Sequence, residues 1–169
     1  EKILIHLKNK ALISEDEENY IFKGRTNSLC FKFPKNLTRE LAEFVGYLTG
    51  DGHINETGVT FFNNNNELRR RYKELIETFG LKFREYQTRE AYAVKISCRD
   101  FARVINQVFG IPFGRKSDKV IIPEIILKAD NPILAGFLRA YFDCDGYVSK
   151  KKREIEISTA SREMQEYLR

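Results

Sequence analysis

The chain has little of what several classes of protein require. It has three cysteines in 169 residues, Cys30, Cys98 and Cys144, an odd number at wide spacing. This spacing matches neither a disulfide framework nor a zinc-binding pattern, and it suits a reducing compartment. No apolar run is long enough to span a membrane, and no signal peptide is visible at Glu1. We therefore expect an intracellular, cytoplasmic protein with no membrane partner.

Two activities are disfavoured by further absences. Protein splicing needs a nucleophile as the first residue and a terminal His-Asn, whereas this chain begins with Glu1 and ends with Arg169. Aspartic proteases need Asp-Thr-Gly or Asp-Ser-Gly loops, and neither tripeptide is present. We therefore expect neither splicing nor aspartic proteolysis.

The composition is basic. The chain has 29 lysines and arginines against 24 acids, which gives a net charge of +5, and 42% of its residues are hydrophobic. The hydrophobic content suffices for one domain with a core, or for two small halves. The charge favours a polyanionic partner, although an ordinary basic surface would give the same composition.

A segment of helical length occurs twice. Residues 43–52 read EFVGYLTGDG, residues 137–146 read FLRAYFDCDG, and each ends in Asp-Gly. Small residues recur every four positions, about one helical turn. Parallel packing of two such stripes would bring Asp51 and Asp145 together. A C-cap glycine after a solvated acid could explain one motif, but not the same register twice. The predicted helix interface consists of Ala42, Gly46 and Gly50 with Gly136, Ala140 and Cys144.

Both segments resemble the LAGLIDADG signature of homing endonucleases, in the dodecapeptide form found in archaeal inteins. They keep the terminal Asp-Gly and the small positions, while Thr49 replaces the first acid in copy one. The resemblance implies a site-specific endonuclease that cleaves double-stranded DNA with Mg²⁺ or Mn²⁺, and a monomer of two pseudo-symmetric repeats when full length. A binding module without cleavage, such as a maturase or regulator, is the alternative. Two retained carboxylates favour the nuclease.

The pattern of elements agrees with this family. A motif helix to about Thr49 precedes a hairpin over 53–62, an amphipathic helix that Gly80 ends, a second hairpin over 81–97 and a helix over 99–109. The order restarts with a helix over 132–142, a hairpin over 147–159 and a helix from Ser161. We therefore expect an α+β LAGLIDADG homing endonuclease fold of αββαββα repeats, the second truncated.

Three segments follow from these boundaries. Residues 1–35 are predicted to be β-rich, with strands at 3–7, 20–22 and 29–33 and a polar loop at 14–19, and to form the edge of a splicing or accessory module. Residues 36–130 hold the first repeat and a lysine-containing linker. Residues 131–169 start the second, incomplete repeat.

The resemblance also implies the metal ligands. Phosphodiester hydrolysis needs an activated water and a stabilised leaving oxygen, and divalent ions held by carboxylates supply both. Since Mg²⁺ takes oxygen ligands and few protein contacts, Asp51 and Asp145 are the predicted ligands, with the carbonyls of Gly50 and Cys144 beside them. Asp143 has no counterpart in copy one. We expect it to be a structural acid.

A basic linker precedes the second motif. Residues 114–123, GRKSDKVIIP, resemble the lysine-containing block of intein endonucleases, which implies a lysine near the scissile phosphate. Lys119 is the preferred catalytic lysine, and Lys116 is assigned to DNA binding. Phosphate binding alone, or exposure to solvent, remains open for both.

A DNA-binding face is predicted for the second hairpin. Lys82, Arg84 and Tyr86 alternate with apolar residues, as does Lys95, so one face is basic and the other covered by helices. A basic ribbon can enter a major groove, although an ordinary solvated face would show the same alternation. Arg69–Arg71 is expected to be a solvated helix face. The predicted DNA-binding residues are Lys82, Arg84, Tyr86, Lys95, Lys116, Lys150, Lys151 and Lys152.

Overall fold

The structure is a computed structural model that describes residues 2–3, 12–24, 29–149, 151 and 153–169. Most of the strand predicted over 3–7, and the turn lysines Lys150 and Lys152, lie outside these residues. No helix within the described part of the chain is long and apolar enough to cross a membrane.

The N-terminal segment forms an antiparallel sheet of three strands. These are β1 (Leu12–Glu15), β2 (Asn19–Lys23) and β3 (Leu29–Pro34), in the order β1-β2-β3. The polar loop predicted over 14–19 is shorter than expected, because Ser14 and Glu15 pair with β2. The turn is confined to 16–18, where the Asp16 carboxylate accepts hydrogen bonds from the Glu18 and Asn19 backbone N–H groups.

The first repeat has the predicted order αββαββα. Its elements are α1 (Arg39–Gly50), β4 (Gly52–Asn55), β5 (Gly58–Phe62), α2 (Asn66–Thr78), β6 (Arg84–Gln87), β7 (Tyr92–Ile96) and α3 (Arg99–Phe109). The strands form one antiparallel sheet in the order β4-β5-β7-β6. The helices begin at recognisable caps, since the Thr38 hydroxyl accepts from Leu41 N–H and the Asn65 side chain accepts from Glu67 N–H.

The linker and the second repeat follow. A short helix that the sequence analysis did not predict, α4 (Glu124–Leu127), lies in the linker. The second repeat comprises α5 (Asn131–Asp145), β8 (Gly146–Ser149), β9 (Glu154–Ile157) and α6 (Arg162–Tyr167). Helix α5 is three residues longer than predicted at its C-terminal end, so that Asp145 is its last residue. The mixed α+β fold, with antiparallel sheets and two related motif helices, is that of the predicted family.

One aromatic cluster joins the N-terminal sheet to the first repeat. Phe44 of α1 meets the rings of Phe61, Phe79 and Phe101 edge to face, at centroid distances of 5.2, 5.5 and 5.5 Å. Phe101 in turn meets Phe31 of β3 at 5.3 Å. These side chains are almost completely buried. The face of α1 that carries Phe44 therefore packs against the core, and the opposite face of α1 packs against α5.

Candidate active site

The two motif helices lie side by side and parallel. Gly136, near the start of α5, lies against Arg39 at the start of α1, and Cys144 lies against Gly50 at the ends of both helices. At the centre, a Cβ added to Gly46 would overlap the Phe137 carbonyl and lie 2.8 Å from the Ala140 Cβ. In this seam between α1 and α5, Gly46 meets Ala140 and Gly50 meets Cys144, whereas Gly136 packs on Arg39 rather than on a small residue. Both Asp-Gly pairs lie at the same end of the two helices.

A hydrogen bond crosses this seam beside the interface. The Tyr47 hydroxyl donates to the Asp143 carboxylate at 3.1 Å, which links α1 to α5. Burial raises the pKa of Tyr47, and the charges of Asp143 and Glu43 raise it further, so the hydroxyl remains a donor. Asp143 therefore lies where a structural acid was expected, bound to the neighbouring helix.

Asp51 is the C-cap of α1, and its carboxylate is held by two side chains. Its backbone N–H donates to the Tyr47 carbonyl at 3.0 Å. Its Oδ2 accepts from the Tyr72 hydroxyl at 3.0 Å and from the side-chain amide of Asn63. Burial is the main cause of a raised pKa of Tyr72, with nearby Cys144 and Asp51 adding to it. The sequence analysis missed both donors, because an asparagine in a cap and a tyrosine on an apolar helix face are ordinary structural residues.

Asp145 is the last residue of α5, and it lines an open cleft of about 450 Å³. Partial burial raises the pKa of its carboxyl group, the charge of Asp51 raises it further, and the ammonium group of Lys116 opposes both. The two predicted metal ligands therefore interact electrostatically. The residues that line this cleft come from α1, β4, the linker, α5 and the segment after β9, and include Thr49, Gly50, His53, Lys116, Tyr141, Asp145 and Thr159.

Lys116 is the lysine that lines the same cleft as Asp145. It is buried, and its Nζ donates to the Thr49 carbonyl at 2.6 Å and approaches the Gly50 carbonyl at 3.4 Å. Burial lowers its pKa, although Asp145, Cys144 and Asp51 counteract the shift. The Lys119 side chain is exposed and forms no hydrogen bond or ion pair with the described residues. The geometry thus favours Lys116 over Lys119 as the lysine at the site, and it sets Lys116 apart from a surface DNA contact.

Cys144 packs against Gly50 where α1 and α5 end. An added Cβ at Gly50 would lie 2.8 Å from its Sγ. Burial raises the pKa of the thiol, and the charge of Asp51 adds to the effect, so the sulfur stays protonated. Within the described residues there is no cluster of three or more His, Cys, Asp or Glu side chains suited to a metal ion. Any ion bound here would have two carboxylates as its charged protein ligands.

The basic sheet face lies opposite the helices. Pairing across the strands places His53, Thr60, Lys95 and Arg84 in one row. Arg84 is exposed, and His53 and Lys95 are half-buried. Tyr86 shares this face, whereas Lys82 precedes β6 and Lys151 is exposed in the turn after β8. Sequence alternation identified Arg84 and Lys95, and only the strand order adds His53 and Thr60.

The arginines of α2 do not form the solvated face that was expected. Arg69 is buried and pairs with Glu85 of β6 at 2.9 Å, because Glu85 points to the helix side of the sheet. Arg71 pairs with buried Glu43 of α1 through two guanidinium nitrogens and both carboxylate oxygens, at 2.7 and 2.8 Å. Arg70 alone is largely exposed, beside Glu74 at 3.7 Å. Two of the three arginines are thus structural.

Comparisons with known proteins agree with this architecture. Residues 39–109 and 132–169 match the family model described as LAGLIDADG-like domain. The chain is 36% identical to the replication factor C small subunit of Methanocaldococcus jannaschii, over 98% of this chain and 9% of that protein. It is 40% identical to the replication factor C small subunit of Thermococcus kodakarensis and 34% identical to an A-type ATP synthase subunit of Pyrococcus abyssi. These two matches cover 75% and 78% of this chain, but 14% and 13% of the relatives. Short matches inside unrelated host proteins are typical of inteins inserted in archaeal genes.

Proposed function

Because the chain belongs to the LAGLIDADG-like domain family, we propose that it is the endonuclease part of an archaeal intein, which cleaves double-stranded DNA site-specifically by divalent-metal-assisted hydrolysis. The observation that carries the proposal is the meeting of Asp51, Asp145 and Lys116 at the shared ends of two parallel helices. The chain spans less than a fifth of the relatives it matches. The activity is therefore proposed for the complete endonuclease, as a monomer of two pseudo-symmetric repeats.

The donor set fits Mg²⁺ or Mn²⁺. Mg²⁺ is bound by one or two carboxylates, keeps several waters and takes its other ligands from phosphate, and this site offers two carboxylates beside an open cleft. Asp51 and Asp145 would hold the ion, with the carbonyls of Gly50 and Cys144 as further oxygen donors. When bound, the ion would activate water and stabilise the leaving oxygen.

Lys116 would act on the phosphate. In the free protein its ammonium group is satisfied by the carbonyls at the end of α1. A scissile phosphate in the cleft would offer a stronger, charged acceptor. A lysine there would stabilise the negative charge that develops during hydrolysis.

The sheet would bind the DNA. Arg84 and Lys95 are cross-strand neighbours on the face away from the helices, and His53 extends their row toward the cleft. Basic side chains on such a face can contact phosphates, while polar side chains read base edges. The row supports a DNA path across the sheet that ends at the two acids.

The test replaces each acid by its amide in the complete endonuclease. Asp51→Asn and Asp145→Asn keep size but lose the charge that attracts the ion, so we expect cleavage of a plasmid carrying the uninserted host allele to be lost in Mg²⁺. Gel-shift affinity in Ca²⁺ should stay close to the parental value. The Lys116→Met variant should cut slowly, with Lys119→Met as the matched control.

Three outcomes would contradict parts of the proposal. Parental cutting by either Asn variant would show that the acid is not a required ligand. If the unaltered endonuclease bound the site but never cut it in Mg²⁺ or Mn²⁺, the chain would be a binding module such as a maturase or regulator. Slow cutting by Lys119→Met instead of Lys116→Met would return the catalytic role to Lys119.

A further inference from the structure

We infer that Tyr72 and Asn63 are positioning residues that hold Asp51 as a one-oxygen ligand and thereby favour Mg²⁺ over Ca²⁺. The inference rests on the proposed function and concerns the selectivity of the same site. Both donors bind the same carboxylate oxygen, Oδ2, the Tyr72 hydroxyl at 3.0 Å. The thiol of Cys144 is a further, weak donor beside this carboxylate, but no N–H or O–H group of the described residues donates to the other oxygen, Oδ1. It is therefore the oxygen left for an ion.

The amide of Asn63 is fixed in one orientation. Its Oδ1 accepts the backbone N–H of Asn65 at 2.7 Å, so its NH₂ group must face Asp51. The Asn63 backbone N–H donates to the Tyr92 carbonyl at 3.0 Å. Arg69 donates to the carbonyls of Asn63 and Asn64 at 3.2 and 2.8 Å. The loop that carries the donor is thus held from three sides.

The ring of Tyr72 is equally constrained. The side chain is almost completely buried between Tyr47 and Phe61, with both ring centroids at 4.9 Å. Its hydroxyl also lies 3.4 Å from the Asn63 amide nitrogen. Neither donor can leave Oδ2 without disturbing packed groups.

A carboxylate held in this way suits one class of ion. Mg²⁺ requires a near-ideal octahedron and binds carboxylates through one oxygen, whereas Ca²⁺ accepts six to eight ligands and often takes both oxygens of one carboxylate. With Oδ2 occupied by two donors, two-oxygen binding by Asp51 costs two hydrogen bonds. The arrangement therefore penalises Ca²⁺ more than Mg²⁺.

The second repeat does not reproduce the arrangement. At the offset of 96 residues that aligns α2 with α6, the counterpart of Tyr72 is Leu168, which has no donor, and the counterpart of Asn63 is Thr159. The Asp145 carboxylate forms no hydrogen bond or ion pair with the described residues, and only the charges of Asp51 and Lys116 act on it. We therefore assign the selectivity for Mg²⁺ over Ca²⁺ to Asp51 and its two donors, and not to Asp145.

The test compares ion selectivity rather than activity. Mn²⁺ binding to the chain is followed by the electron paramagnetic resonance signal of free Mn²⁺, and the binding that Asp51→Asn removes defines the site. Mg²⁺ and Ca²⁺ then displace Mn²⁺ from the parent, Tyr72→Phe and Asn63→Ala. We expect the ratio of Ca²⁺ to Mg²⁺ affinity to rise on the order of 10-fold in both variants. Tyr47→Phe is the matched control, because it removes a buried hydroxyl bound to Asp143 instead.

The outcomes separate the inference from the proposed function. Mn²⁺ binding with an unchanged Ca²⁺ to Mg²⁺ ratio in Tyr72→Phe and Asn63→Ala overturns the inference alone. An equal loss of affinity for both ions, or an equal rise of the ratio in Tyr47→Phe, shows a merely structural role and also overturns it. If the parent binds no Mn²⁺ that depends on Asp51, the proposed metal site and the inference are both wrong.

Discussion

The two hairpins that follow the motif helices have the same pairing but different surroundings. Ile54 pairs with Val59 in the first, and Val148 pairs with Ile155 at the corresponding positions of the second. Ile54 and Val59 are 0% exposed, whereas Val148 and Ile155 are 63% and 69% exposed. Strand β5 pairs with β7 and contacts α3, and the described part of the second repeat has no equivalent of either. The local pattern sets the hairpin, and later elements set its burial.

The two acids differ in a similar way. Asp51 is enclosed by donors that belong to the loop after β5 and to α2, while Asp145 faces the open cleft and Lys116. Equivalent positions in two copies of a motif are therefore not equivalent in environment. Stability measurements can test each part of this comparison.

The largest loss of stability is expected at the seam between α1 and α5, where the two motif copies pack together. Gly46→Leu would push α5 away from α1, because even a Cβ at this position overlaps the Phe137 carbonyl. Overpacking of this kind costs about 1–3 kcal/mol or more. Urea denaturation should show the loss as a lower midpoint. Gly136→Ala is the milder comparison, since its Cβ would lie 3.0 Å from the Arg39 Cγ and 3.2 Å from the Arg39 carbonyl oxygen, both farther than the 2.4 Å at Gly46. A Gly46→Leu chain as stable as the parent would mean that the helices do not pack there.

A smaller effect is expected where α2 is tied to α1 in the first repeat. Arg71→Ala leaves the buried carboxylate of Glu43 without its partner. An unsatisfied buried group of this kind costs roughly 1–3 kcal/mol. Arg70→Ala on the same helix removes only an exposed pair, worth about 0–1 kcal/mol. Both are measured by the same denaturation. Equal losses in the two variants would contradict the structural role of the Arg71–Glu43 pair.

The sequence predicted the elements of the first repeat well where local signals agree. Helix α3 lies over 99–109 as expected, because its apolar face is regular and Gly110 ends it at a φ of 67°. Helix α5 was predicted too short, since Asp-Cys-Asp-Gly favours a turn. In the structure, Cys144 packs on Gly50 and Asp143 binds Tyr47, so contacts between helices extend it.

Of the candidate site, the sequence predicted only the pair of acids that the two motif copies share. The register of small residues brought Asp51 and Asp145 together, but periodicity does not describe the path of the linker. Gly114, at a φ of 81°, donates its N–H to the Ile54 carbonyl at 2.9 Å and directs the chain so that Lys116 enters the cleft. Without that path, the sequence could not show that Lys116, rather than Lys119, lies in the cleft. The donors to Asp51 come from elements distant in sequence.

The smallest change in stability is expected from replacing Asp145 or Asp51, whose carboxylates lie in different charge environments. The pKa of Asp145 is raised above its usual 3.8, so the folded protein binds this proton more tightly than the unfolded chain does. Stability from this group is present below pH 3.8 and is lost as pH rises through the folded pKa. Asp145→Asn removes the charged form, so at pH 7 it should melt above the parent, and the gap should close as pH falls below 3.8. Asp51→Asn should show no such gain, because its two donors lose a charged acceptor. The melting temperatures of the parent and the two variants across this pH range measure the difference. If the parent were more stable than Asp145→Asn at pH 7, the attraction of the Asp145 carboxylate to Lys116 would outweigh both its burial and its repulsion by Asp51.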